Sequence, residues 1–138
     1  MRDRRRQVQV LHQQALRGQR LLESETGALA GELSRLHEAR AALEGAEAVG
    51  VATTAGLLGN ATRYRELVEA RRLSLEEEIL EAQRRLEAHQ TRLRQARQAV
   101  AGWERLEERL TAQERQRLAR QEQEITDQHG QWRSRRSG

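Results

Sequence analysis

The sequence predicts an all-α fold: a long antiparallel two-helix coiled-coil hairpin with a projecting C-terminal helix. Three observations predict it. Apolar residues recur every seven positions in both halves of the chain. The residues between them are polar, with 33% of the chain charged, only 2% aromatic, and no Pro, Phe or Cys. One uncharged run, "AVGVATTAGLLGNAT" at residues 48–62, separates the halves. A chain dominated by Ala, Leu, Glu, Arg and Gln has too few large apolar side chains for a wide core, but enough for a narrow seam between helices.

In the first half the stripe is Val8, Ala15, Leu22, Leu29, Leu36 and Leu43. A strict seven-residue repeat of this kind is the signature of a left-handed coiled coil. The second stripe is weaker. Leu11, Ala39 and Ala46 occupy the fourth heptad place, Gly18, Glu25 and Glu32 break it, and Leu33 fills in one residue later. The first helix is expected over about residues 4–47. Gly18, Gly27, Gly31 and Gly45 each weaken it by roughly 1 kcal/mol relative to Ala, so packing has to supply what propensity lacks.

The uncharged run reads as a turn over about 48–60, because β-branched Val49, Val51, Thr53 and Thr54 alternate with Gly50, Gly56 and Gly59. A phosphate loop needs a Lys after its glycines, and this chain has none. The run is also too short and polar to span a bilayer.

The second helix is expected over about 61–130, capped by Asn60 or Thr62 and stopped by Gly130, with a tail at 131–138. Ile79, Leu86, Leu93 and Val100 form one stripe. Leu75, Ala82, His89, Ala96, Trp103 and Leu110 form the other, and Leu118 and Ile125 continue a thinner one. Two long helices joined by one turn pair by folding back. Counting out from the turn sets Val8 against the neighbourhood of Trp103. It also leaves a lone C-terminal helix of roughly 40 Å at 1.5 Å per residue. That lone segment carries arginines interleaved with glutamates, so it needs an axial socket or a second chain.

Catalytic chemistry is not expected. His12, His37, His89 and His129 lie apart, with His89 on the seam, and Asp127 and His129 do not share a helix face. Absence of Cys excludes disulfides and thiolate chemistry. No metal site, cofactor or nucleophile is indicated, and the chain reads as a non-enzyme. "EEE" at 76–78 and the Glu81–Arg85 pair belong to a solvated face. All 25 basic residues are Arg, and the net charge is only +4. The basic ends, "RRR" at 4–6 and "RSRR" at 133–136, have only Trp132 as a stacking residue. They suit protein carboxylates better than nucleic acid. The N-terminal "MRDRRRQVQVLHQQAL" lacks an apolar h-region and a cleavage signature, and its heptads run past any cleavage site of a mitochondrial presequence. A cytoplasmic location follows, with no direct membrane insertion.

The stretch "AVAGWERLEERLTAQERQRLARQEQEITDQHGQWRSR" resembles the stalk proteins of flagellar and virulence type III export machines (the FliJ/YscO type). The resemblance lies in Trp103, Leu106, Glu108 and Arg109, then a helix rich in Glu, Gln and Arg, then Asp127. "GLLGNATRYRELVEARR" is similar to the start of that family's second helix. The resemblance implies a stalk like the rotor of F-type ATPases, peripheral at the cytoplasmic face of the inner membrane and monomeric in isolation. Its termini end would enter a ring-shaped export ATPase through Arg4, Arg5, Arg6, Arg109, Arg115, Arg117 and Arg120. The turn end would meet the membrane export gate through Tyr64, Leu67 and Val68, and the stalk would escort export chaperones. The family has large residues late in helix 1 on the gate patch, where this chain has Leu36, Ala39, Leu43 and Ala46, so gate affinity is expected to be modest. Two other readings stay open: a generic coiled-coil scaffold that dimerises through an exposed stripe, and a basic helical nucleic-acid-binding protein.

Overall fold

A computed structural model describes the backbone of residues 2–54 and 58–137, and the side chains of residues 2–47 and 62–136. It contains two α-helices, α1 (Arg2–Thr54) and α2 (Leu58–Ser137), and no strand among the described residues. Both helices run past the ends expected from the sequence. α1 continues seven residues beyond Glu47, through the β-branched part of the uncharged run. α2 begins ahead of Asn60 and Thr62, which lie inside the helix and not at its cap, and it includes Gly130 and most of the expected tail. Of the expected turn, only residues 55–57 fall between the helices, and these lie outside the described residues. The physical reason is the size of the penalties. Val, Thr or Gly costs at most about 1 kcal/mol per position, while only Pro, at about 3 kcal/mol, stops a helix outright. This chain has no Pro. No described glycine adopts a positive φ, so Gly130 does not form a left-handed cap.

The chain divides into two compact units, Gln19–Gln95 and Met1–Gly18 with Ala96–Gly138. In the first, Val68, Leu75, Ile79, Ala82 and Leu93 are buried, Leu75 to 1% exposure. Leu22, Leu29, Leu36, Leu43 and Leu86 are half-buried around them. In the second, Val8 and Val100 are buried, and Ala15, Ala96, Trp103 and Leu110 are half-buried.

The periodicity of burial shows which side chains line each helix's inner edge. On α2 the covered positions alternate in steps of three and four from Val68 through Arg72, Leu75 and Ile79 onward, ending at Glu114. On α1 the expected stripe at Leu11, Ala39 and Ala46 is replaced. Leu11, Ala39 and Ala46 are exposed, and the covered second stripe is His12, Gln19, Thr26, Leu33, Arg40 and Glu47, one residue later. Steps of four then three from Val8 match the 3.6-residue turn better than the polar gaps in the expected stripe. Five of those six residues are polar, so a count of apolar letters could not find them.

Leu118 and Ile125 do not continue the α2 seam. Leu118 comes eight residues after Leu110, one out of step with the heptad, and both Leu118 and Ile125 are exposed.

Candidate functional site

The described surface offers side-chain edges rather than an enclosed cavity, and three places on it carry chemistry.

The first is the polar stripe of α1. In the unit Gln19–Gln95, the Tyr64 hydroxyl donates to the Ala46 carbonyl at 3.4 Å. Arg40 Nη2 lies 3.8 Å from Glu76, and Arg40 Nε lies 3.5 Å from Glu44 on its own helix. His89 Nε2 lies 3.3 Å from Glu25 Oε2, while its other ring nitrogen meets the Arg85 carbonyl at 3.0 Å. Thr26 uses its hydroxyl locally, donating to the Leu22 carbonyl at 2.6 Å. Each polar side chain on the edge therefore keeps its aliphatic part against the neighbouring helix and its head on a partner.

In the other unit, His12 sits between two α2 carboxylates. Its Nδ1 is 3.1 Å from Glu107, and its Nε2 is 3.7 Å from Glu104. Nε2 is buried and makes no hydrogen bond at that distance. The pair is ionic only when the imidazole is protonated. Since His12 faces Glu104 and Glu107, Val8, about one turn earlier, lies opposite a point about one turn beyond the expected Trp103. The offset follows from the extension of α1 past residue 47, which moves the point midway between the helices toward the C-terminus.

The second place is the beginning of α2. Tyr64 is half-buried and Val68 is 6% exposed, whereas Leu67 is 70% exposed. The three residues therefore do not form one exposed patch: Val68 belongs to the inner edge and Leu67 to the outer one. Arg72, a turn further on, hydrogen-bonds the Glu69 carboxylate, and this bond and the charge of Glu69 raise its pKa further. A raised arginine pKa keeps the guanidinium charged wherever Glu69 is ionised, so this pair weakens only toward acid pH, when the carboxylate is protonated.

The third is the C-terminal part of α2. Every described residue from Arg115 to Arg136 is exposed. Arg4, Arg5, Arg6, Arg109, Arg115, Arg117 and Arg120 are all exposed as well and belong to the same unit. Arg117 pairs with Glu114 at 3.7 Å. Along this exposed length stand Leu118 (47% exposed), Ile125 (54%) and Trp132 (56%), seven residues apart. The Arg136 guanidinium stacks over the Trp132 ring at 4.1 Å from its centroid. The sequence reading found the first two of these and missed Trp132 as their continuation. Heptad spacing was the available signal.

Among the described residues no cluster of His, Cys, Asp and Glu has a metal-holding arrangement. No described helix is long and apolar enough to cross a membrane. The fold and these edges define a class, an all-helical chain that works by side-chain contact along its helices. No protein-family model, curated protein or solved structure matches the chain.

Proposed function

We propose that this chain is an antiparallel coiled-coil hairpin acting as the non-enzymatic central stalk of a flagellar or virulence type III export apparatus. The antiparallel arrangement is supported by the order of partners in the unit Gln19–Gln95. As the α2 residue advances from Tyr64 to Glu76 to His89, its α1 partner retreats from Ala46 to Arg40 to Glu25. Coiled-coil packing is supported by burial in steps of three and four on both helices.

The stalk role is carried by one observation, the fully exposed segment Arg115–Arg136. Such a segment buries nothing against its own chain, yet it keeps six arginines among three carboxylates and an apolar stripe. It suits a socket lined with carboxylates, and guanidinium groups recognise these in bidentate fashion. In this reading Arg4, Arg5, Arg6, Arg109, Arg115, Arg117 and Arg120 face an export ATPase ring. Leu67, next to Tyr64, is the group available to an export gate, with Val68 supporting it from the inner edge. Export chaperones are the remaining partners, and the chain works at the cytoplasmic face of the inner membrane without entering it.

The test is ATPase stimulation. Added to its cognate export ATPase, the full chain should raise turnover or promote ring assembly. Reversing charge at Arg4, Arg5, Arg6, Arg117 and Arg120 together should abolish most of that effect. Stimulation undiminished by the reversal would sink the axial-socket reading.

A further inference from the structure

We infer that the exposed stripe Leu118–Ile125–Trp132 pairs with the same stripe of a second copy, as a short, weak, parallel two-stranded coiled coil. This inference does not rest on the stalk reading.

The stripe has no partner within its own unit. His12 faces Glu104 and Glu107, so Arg2, about ten residues earlier on α1, falls opposite about residues 114–117. No residue of α1 remains to cover Leu118, and none is closer to Trp132. The stripe also stands one residue out of step with the covered α2 positions that end at Glu114. A continuing seam would keep its step, and a changed step turns the apolar edge toward a different neighbour.

The occupant is argued from charge. With Leu118, Ile125 and Trp132 at heptad position a, Gln121 and Gln128 fall at d, Glu122 and His129 at e, and Arg117 and Glu124 at g. In a parallel pair each g residue faces the e residue five positions later on the other helix. That sets Arg117 against Glu122 of the second copy and Glu124 against His129, with no like charges opposed. Arg117 already holds Glu114 on its own helix at 3.7 Å, a length it can exchange or share. An antiparallel pair centred on Ile125 would instead bring Arg133 and Arg135 against Arg117 and Arg115, opposing cations. The d layers of Gln121 and Gln128 are polar and can hydrogen-bond their own copies across the pair.

The size of the contact sets its strength. Three apolar side chains per copy bury far less than the roughly 1,200 Å² of a stable complex, so the pair is transient, half-formed at roughly tens to hundreds of micromolar. The exposed chain thus exists as monomers when dilute and pairs when concentrated.

Sedimentation of the full chain across that range tests the pairing. A reversible monomer–dimer equilibrium is expected, lost on Ile125→Asp and kept on Leu21→Asp, a control at another exposed leucine. Helical content by circular dichroism shows whether either variant has disturbed the fold. Glu122→Arg should weaken the dimer about two- to fivefold, and adding Arg117→Glu should restore it. The chain has no cysteine, so single introduced cysteines report orientation. Gln128→Cys should cross-link to itself on mild oxidation. A mixture of Leu118→Cys and Trp132→Cys chains that cross-links to each other, with Gln128→Cys staying monomeric, would overturn the parallel arrangement. Monomers at every concentration would overturn the pairing and leave the stalk reading intact. A dimer tight at nanomolar concentration that still needs Ile125 would support the pairing and count against the stalk.

Discussion

Two stretches of the same helix, 68–100 and 115–136, carry charge at about two residues in five, yet one is buried along an edge and the other is exposed all round. Charge content therefore does not decide burial here. In 68–100 apolar side chains arrive at both heptad positions, Val68, Leu75 and Ala82 on one and Ile79, Leu86, Leu93 and Val100 on the other. In 115–136 they arrive at one position only, with glutamines on the other. A single row of apolar groups every 10 Å or so of helix is too narrow to hold a neighbour on its own. Two rows make a continuous stripe.

The largest test of that contrast is paired truncation. Leu75→Ala, at a residue 1% exposed, should lower the unfolding free energy by about 2–4 kcal/mol, read from urea denaturation. Ile125→Ala, at 54% exposure, should change it by less than about 0.5 kcal/mol in dilute solution. Equal losses would erase the distinction between the two stretches. Hydrogen exchange sharpens it further. Amides in 72–100 should exchange only on global opening, and those in 115–136 at least about a hundredfold faster.

A smaller effect isolates the polar stripe. A double-mutant cycle of His12→Ala and Glu107→Gln should return a coupling of about 0.5–1 kcal/mol at pH 6, where the imidazole is substantially protonated. Zero coupling would reduce the 3.1 Å contact to a bystander. The smallest effect compares Gly27 and Gly130, two glycines with open space where an alanine methyl group would stand. Each Gly→Ala change should favour helix by about 0.5–1 kcal/mol. Gly27→Ala should raise the thermal midpoint by about 2–4 °C. Gly130→Ala should raise helical content without moving the midpoint.

The α2 edge was legible in the sequence because its residues are apolar, from Leu75 and Ile79 to Val100 and Trp103. The leucine stripe of α1 was legible for the same reason. Its second stripe was not, since His12, Gln19, Thr26, Arg40 and Glu47 look like surface residues until a neighbouring helix lies against them. Helix ends were illegible because a glycine or β-branched residue costs too little to stop a helix that has no Pro. Val68 illustrates the limit at the candidate site. The spacing of Tyr64 and Val68 suits an exposed pair as well as an inner edge, and only burial separates the two.

The polar stripe of α1 also acts as an alignment code. A purely apolar edge gains nearly as much when its neighbour slips by one heptad. Here, slipping by seven residues would move Glu25 from His89 to Ala82 or Ala96. Slipping in one direction would set His12 against Val100, leaving its buried ring without a carboxylate. Arg40 would trade Glu76 for Gln83 in the other direction. Each misalignment strands a half-buried polar group, and that penalty lets a low-complexity sequence choose one pairing among several similar ones.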